Sequence, residues 1–307
     1  MNECKICGQT FKSESGLHKH FKSHGITMAE YYTTYYPRQS LLNRTPIPFK
    51  NKKDYFNTDF CNRNEFIEWC KQEDKQTVAA YIIKKISSRV KEKELKFAPF
   101  HLELQSLNLP SIDLCQKIFG SYSEVCKQVG VPPMFNKSIN QKFFNSYVPD
   151  DLTIFIDTRE QEPLTFKNSS LMKLDFGDYT ASGEYYSYTY VDRKSETDFK
   201  STLSSNNLNR FRSELERAKK FDSFLYVVTE SSIDKIQKNN RYSAHKANLN
   251  YIFHNMRAIQ HEFSKNCQFI FTGNRKSSEK LIPKLLFNGK KLWNVDLQYY
   301  IDKHEKG

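Results

Sequence analysis

Gly177-Asp178, then Tyr188-Thr189-Tyr190-Val191-Asp192-Arg193-Lys194, then Asp198 is the stretch on which the reading of this chain turns. Tyr188 to Val191 are β-formers, so the segment reads as a strand. A side-chain period of two sends Asp192 and Lys194 to one face and Arg193 to the other. A carboxylate and an ammonium are therefore expected in one pocket. Asp178 arrives from the end of a neighbouring strand, and Asp157 closes the apolar run Leu152 to Ile156. Asp-x-Lys alone is an ordinary solvated strand face and Gly-Asp alone an ordinary turn; their conjunction is what points to chemistry. Two or three converging carboxylates suit a hard divalent cation, Mg²⁺ or Mn²⁺, which binds through a few oxygens plus phosphate and water. Such an ion acidifies a water and offsets charge on a phosphate under attack. Lys194 would stabilise that charge or steer the water.

The order and spacing extend further. Ile154-Phe155-Ile156-Asp157-Thr158-Arg159-Glu160 is followed by Leu174-Asp175-Phe176-Gly177-Asp178-Tyr179 and then by Tyr190-Val191-Asp192-Arg193-Lys194 with Asp198 trailing. This set resembles the nuclease domain of the XPF/Hef structure-specific endonuclease family, within the wider PD-(D/E)xK-like superfamily. The resemblance continues through Asn209-Arg210-Phe211, Glu214-Leu215 and Phe224 to Glu230, covering roughly residues 150 to 290. It implies Mg²⁺ ligands at Asp157, Asp178 and Asp192 with the Arg193 carbonyl, a catalytic Lys194, an Arg159-Glu160 pair beside the site, and a supporting Asp198. Asp192 stands where the family has Glu. The Gly-rich hairpins of the helix-hairpin-helix modules that follow many family members are not found in the sequence. Instead a helix is expected over residues 247–264, a strand over 268–272 and a helix over 277–287, completing an α/β restriction-endonuclease-like domain with a central mixed sheet. Because the family often works through paired nuclease domains, the resemblance also implies a homodimer formed through the C-terminal helices.

A second motif opens the chain. Cys4-x-x-Cys7, twelve residues, then His20-x-x-x-His24 has the spacing of a Cys-Cys-His-His zinc finger, with Phe11 and Leu17 at its two small-core positions. So short a ββα unit cannot bury a core of its own, so Zn²⁺ is expected to supply much of its folding energy. His18 is a competing ligand in principle, but its place off the His20/His24 face makes it a surface residue or phosphate contact. Lys12, Lys19 and Lys22 tip the finger toward DNA over protein contact. One finger reads only about 3 base pairs, so alone it does not specify a site.

Composition agrees. Net charge is +12, which favours phosphate backbones. No apolar run reaches the ~18 residues needed to span a membrane, and the N-terminus does not read as a signal peptide; a cytoplasmic protein is expected, or a nuclear one in a eukaryotic host. Cys61, Cys70, Cys115, Cys126 and Cys267 lack paired spacing and read as free thiols. Thr27 and Pro37 bracket a helix whose Tyr31, Tyr32, Tyr35 and Tyr36 read as packing. The expected organisation is multidomain: a ββα finger with helical extension (1–37), a linker (38–53), a small all-α DNA-binding module (54–135), a second linker (136–150) and the nuclease domain (151–307). Helices in the module are expected over 64–72, 77–93, 111–119 and 121–129. The last pair, joined at Gly120, loosely resembles the helix-turn-helix repeats of phage and mobile-element endonucleases. The functional expectation is a Mg²⁺-dependent DNA endonuclease, targeted by finger and module in the manner of a phage or mobile-element enzyme, with Arg210 as a further DNA contact. Two alternatives stand beside it: a flap- or junction-specific repair or recombination nuclease, and a DNA-binding regulator with an inactive nuclease fold.

Overall fold

The computed structural model describes residues 2–305, and the chain divides into two compact units between Ala80 and Tyr81. In the first unit, β1 (Asn2–Glu3) pairs antiparallel with β2 (Thr10–Phe11) and α1 (Glu14–His20) follows, running into a 3₁₀ turn at Phe21–His24. Ser13 caps α1 by accepting the Gly16 amide. Gly25, at φ 67°, ends the turn in the left-handed conformation that glycine tolerates. Thr27 and Glu30 form a reciprocal capping box on α2 (Met28–Tyr35). Then come α3 (Lys52–Asn57) and α4 (Arg63–Gln72), capped by Asn51 and Asn62, and α5 (Lys75–Lys93), which spans the division.

The finger does not stand on its own core. Leu17 and Phe21 are buried together with Tyr31, Tyr32, Ile47 and Tyr55, and Phe21 stacks on Tyr31 with ring centroids 4.1 Å apart. Tyr31 and Tyr32 are packing residues, as the sequence indicates, while Tyr35 stays exposed. Part of the stretch read as a linker is ordered into this core: Ile47 is buried, and the basic run becomes α3, with Lys52 3.0 Å from Glu14.

In the second unit, three short helices, α6 (His101–Ser106), α7 (Ile112–Phe119) and α8 (Tyr122–Val129), precede a six-stranded mixed sheet. Along the chain this continues as β3 (Ile154–Asp157), β4 (Ser169–Met172), β5 (Tyr179–Ala181), β6 (Thr189–Lys194), α9 (Glu196–Thr202), α10 (Ser205–Lys220), β7 (Phe224–Thr229), α11 (Ile233–Tyr242), α12 (Leu249–Glu262), β8 (Cys267–Phe271), α13 (Arg275–Asn288) and α14 (Leu297–Glu305). The strand order is β4-β3-β5-β6-β7-β8, with β5 antiparallel to β3 and β6 and the other pairs parallel. Alternation fills both faces. Leu225 and Val227 of β7 face Phe211, Leu215, Ile252 and Met256 of α10 and α12, while Phe224, Tyr226 and Val228 face Ile282, Leu285 and Leu297 of α13 and α14.

Residues 136–150, expected as a linker, lie against this sheet. Asn136 and Lys137 amides donate to the Asn294 carbonyl, Phe143 and Phe144 pack on the α13/α14 side, and Lys284 donates to the carbonyls of Phe144 and Ser146. Helices α6 and α7 are tied in as well: the His101 amide donates to Asp296 and the Tyr299 hydroxyl to Asp113, at 2.9 and 2.7 Å. Compactness thus groups α6 to α8 with the nuclease sheet.

Candidate active site

The carboxyl ends of β3 and β6 and the start of β5 meet at one edge of the sheet, because β5 runs opposite to its neighbours. Asp157, Asp178, Asp192 and Lys194 line one cavity there of about 570 Å³, with Arg159, Gly177, Arg210, Glu214 and Arg217. Ligand crevices outside the carboxyl ends of strands are a general property of open α/β sheets. Asp192 and Lys194 do share a face of β6, with Lys194 Nζ 2.5 Å from Asp192 Oδ1. The Arg193 side chain turns to the other face.

Gly177 makes this approach possible. Its φ of +68° and its closeness to the Val191 carbonyl and Leu225, each 3.0 Å from where a Cβ would sit, exclude a larger residue. The turn it forms lets the Asp178 amide donate to Val191 O and Asp178 Oδ2 accept from the Arg193 amide, both at 2.7 Å. The Gly177 amide donates to Glu214 Oε1 at 2.9 Å.

The electrostatics are those of crowded carboxylates. Burial and the neighbouring Asp192 charge push Asp178 well above the usual carboxylate range, and the same two causes raise Glu214. Burial works against the Lys194 charge, but Asp192 and Asp178 outweigh it and lift its pKa. Asp192 Oδ2 is buried and has no hydrogen-bond partner among the described residues. A buried, unpaired carboxylate oxygen facing like charges is costly unless a cation joins it. The site therefore fits a hard divalent ion at Asp178 and Asp192.

Three expected residues sit differently from their reading. Asp157 is not an open ligand: Arg159 donates to it from its amide, Nε and Nη2 at 2.7 to 2.8 Å, and the Leu174 amide adds a fourth donor at 2.7 Å. Burial disfavours its charge, yet the Arg159 donors hold its carboxyl below the usual range. Glu160 lies on the Arg193 side of β6. There the Arg193 guanidinium bridges Glu160 at 2.9 Å and Glu230 at 3.2 Å, a buried ion triad that fixes the strand end. His18 is half buried in the finger, its Nε2 2.9 Å from the Tyr32 hydroxyl and 3.5 Å from Glu14. Asp198 lies in the first turn of α9, where its amide donates to the capping Ser195 hydroxyl and its carboxylate accepts from it. Lys12, Lys19 and Lys22 are exposed. Arg210 lines the cavity, and so do Glu214 and Arg217, which were not among the expected site residues. The sequence does carry their signal: 210, 214 and 217 follow helical spacing beside the buried Phe211, Leu215 and Ala218.

At the other end of the chain Cys4, Cys7, His20 and His24 place their ligand atoms within 4.8 Å of one another. Cys7 Sγ is 3.3 Å from His20 Nε2, Cys4 Sγ 3.6 Å from His24 Nε2, and the two Nε2 atoms are 3.0 Å apart. Zn–S near 2.3 Å and Zn–N near 2.0 Å give tetrahedral edges of about 3.3 Å between nitrogens and about 3.5 Å between sulfur and nitrogen, within about 0.3 Å of these separations, so the donor set fits zinc. Ser23 Oγ lies 3.1 Å from His20 Nδ1, an outer partner of the kind that orients a metal-binding imidazole.

The ERCC4 domain family matches residues 127–285. XPF from Aeropyrum pernix is similar at 17% identity and a TM-score of 0.35, over 45% of this chain and 67% of that one. The same protein in complex with DNA is similar at 17% identity and a TM-score of 0.33, over 45% of this chain and 64% of that one. The chain thus spans about two thirds of the length of those structures. No curated protein matches it. With the ERCC4 domain accounting for more than half of its 307 residues, this chain belongs to the ERCC4-domain, XPF-type nuclease family.

Proposed function

We propose that the protein is a divalent-metal-dependent DNA endonuclease. The observation that carries this is the convergence of Asp178, Asp192, Glu214 and Lys194 in one cavity, with a buried Asp192 oxygen unpaired. Asp178 and Asp192, with the Arg193 carbonyl, hold the ion; Asp157 joins them only by exchanging its Arg159 clamp. A bound Mg²⁺ or Mn²⁺ supplies an acidified water and offsets charge on the phosphate. Lys194, kept protonated by its two carboxylate neighbours, donates to the phosphate oxygen that gains charge during attack. Arg210 and Arg217 bind the flanking phosphates. Glu214 holds the Gly177-Asp178 turn through the Gly177 amide, and the Glu160–Arg193–Glu230 triad holds β6 from behind. DNA as substrate is supported by family membership, by the net charge of +12 and by a zinc-binding finger with Lys12, Lys19 and Lys22 at its surface.

We assign target selection to the finger together with α6 to α8, in the manner of a site-directed mobile-element or phage nuclease. The second reading, a flap- or junction-specific enzyme, is favoured by XPF-type family membership itself. Cleavage of a labelled panel of linear duplex, single strand, flap, fork and four-way junction, in Mg²⁺, Mn²⁺ and EDTA, separates the two. Cutting at one locus of linear duplex supports the first and preference for a branch the second. DNA binding without cleavage in either metal would make the protein a regulator.

A further inference from the structure

Phe221, 60% exposed, Tyr188, 46%, and Tyr186, 38%, are among the aromatic side chains that stand at the surface of the second unit, as Tyr147, Tyr242 and Tyr251 also do. Phe221 is joined to the Tyr186–Tyr188 pair through the rings of Phe176 and Tyr190, which are themselves buried. On α10, Arg210, Glu214 and Arg217 line the cavity, and Phe221 is the next residue of the same helical stripe. Its ring lies 6.5 Å from that of Phe176, the residue before Gly177. Phe176 packs at 4.3 Å on Tyr190, whose hydroxyl is 2.8 Å from that of Tyr186, and Tyr186 lies 5.0 Å from Tyr188. Lys290 Nζ sits 4.9 Å over the Tyr188 ring and 5.5 Å over Trp293.

The far end is held in a conformation that folding alone would avoid. Tyr188 has φ +58°, an outlier for a bulky residue, and such strain persists only where the surroundings enforce it. They do so here. The Tyr188 carbonyl accepts the Phe224 amide at 2.8 Å, and Trp293 Nε1 donates to Thr189 Oγ1 at 3.0 Å. Gly289, at φ +47°, approaches so closely that a Cβ would lie 2.0 Å from Ser187 Oγ. This clamped turn holds Tyr186 and Tyr188 partly open to water.

We propose that Phe221, Tyr186 and Tyr188 form a base-stacking platform for a single-stranded DNA segment leaving the cavity, with Arg217 and Lys290 holding its phosphates at the two ends. The proposal rests on the nuclease reading above and adds a substrate feature to it. Stacking on aromatic faces is the sequence-tolerant way proteins grip unpaired bases, whereas paired bases keep their faces inside the duplex. Charge agrees: Asp175 stands at the cavity rim near Tyr190, whereas Arg217 and Lys290 beside the exposed rings suit phosphates. Phe221 is one helical turn beyond Arg217, about 6 Å along the axis. The first stacked base therefore lies roughly one or two nucleotides from the phosphate in the cavity.

The test uses the full chain with zinc retained and no Mg²⁺ or Mn²⁺ added, which stops cleavage, with a duplex bearing a short overhang that contains 2-aminopurine, and the matching blunt duplex. Binding is read by anisotropy and stacking by 2-aminopurine quenching. The overhang substrate is expected to bind more tightly than the blunt one and to be quenched. Phe221→Ala is expected to weaken overhang binding about tenfold and abolish quenching, leaving blunt-duplex affinity and the melting temperature unchanged. Phe221→Trp should restore both signals, and Lys290→Ala should weaken binding without removing the quench. Equal overhang affinity and equal quenching for wild type and Phe221→Ala would overturn the platform. So would a concentration-dependent mass in light scattering that Phe221→Ala abolishes, since the rings would then serve a second copy of the chain. Blunt duplex cleaved in Mg²⁺ without any overhang effect would remove this inference and leave the nuclease reading standing; no DNA bound in any form would remove both.

Discussion

Glu214 sits where its surroundings disfavour its charge. Burial and the Asp192 carboxylate raise its pKa above its usual 4.5. A group raised on folding contributes stability below its unfolded pKa and loses it as pH rises through the folded value. Glu214→Gln removes the charge and keeps an oxygen to accept the Gly177 amide. Thermal melts with zinc retained and no Mg²⁺ or Mn²⁺ added should therefore show this variant a few degrees more stable than wild type at pH 7 to 8, with the gain vanishing below about pH 4.5. A variant less stable at pH 8 would mean that Glu214 is paired rather than crowded. Arg159 poses the complementary case. The sequence shows Asp-x-Arg-Glu but not that the arginine folds back to occupy both Asp157 oxygens. Arg159→Ala frees them, and tighter Mn²⁺ binding by titration calorimetry is the expected result if Asp157 joins the ion; unchanged affinity would leave Asp157 a purely structural carboxylate.

Elements with a strong period or a clear cap are legible in the amino-acid sequence. Helices α5 and α12, strands β6 to β8 and the Thr27-capped α2 fall within about three residues of their readings. Strand β4 is not legible: Ser169–Met172 is exposed throughout, an edge with no apolar alternation to betray it. Helix α11 is hidden by its polar Lys238-Asn239-Asn240-Arg241 stretch, although Ile233 and Ile236 are buried. Spacing reveals the Cys4, Cys7, His20 and His24 cluster, but not the aromatic core it shares with α2 and α3. That sharing has a consequence. Tyr31→Ala removes a fully buried ring stacked on Phe21 and should cost about 3 to 5 kcal/mol of first-unit stability. Chelation of zinc should then unfold this variant while only loosening the wild type, as followed by near-ultraviolet dichroism. Between α5, α6 and α12 lies a buried cluster. Burial opposes the Glu103 charge, but His261 at 2.6 Å and Arg89 at 2.6 Å outweigh it and hold its pKa below 4.5. A depressed carboxylate stabilises above its unfolded pKa and is lost as pH falls through the folded one. Acid melts of wild type should therefore fall steeply below about pH 4.5, and Glu103→Gln should flatten that fall while costing about 3 kcal/mol at neutral pH.

At the scale of the whole molecule, the nuclease half is readable because its chemistry is local: strand ends, a turn glycine and period-two alternation bring Asp178, Asp192 and Lys194 together. The division into parts is harder to read. Residues 136–150 look like a linker in composition, yet backbone pairing with Asn294 and the partial burial of Phe143 and Phe144 lie in tertiary contacts that no local pattern announces. No helix among the described residues is long and apolar enough to cross a membrane. Pairing of nuclease domains through the C-terminal helices remains a proposal that light scattering with and without DNA answers: twice the chain mass supports it and a monomer contradicts it. The central claim is that the cavity at the ends of β3 and β6 hydrolyses DNA with Lys194 as its charge-stabilising group. Single-turnover cleavage of the best substrate in Mg²⁺, with DNA affinity measured in parallel, tests this most directly. Lys194→Ala should slow cleavage by about 10²- to 10³-fold with affinity unchanged, whereas cleavage by this variant at the wild-type rate would contradict the account.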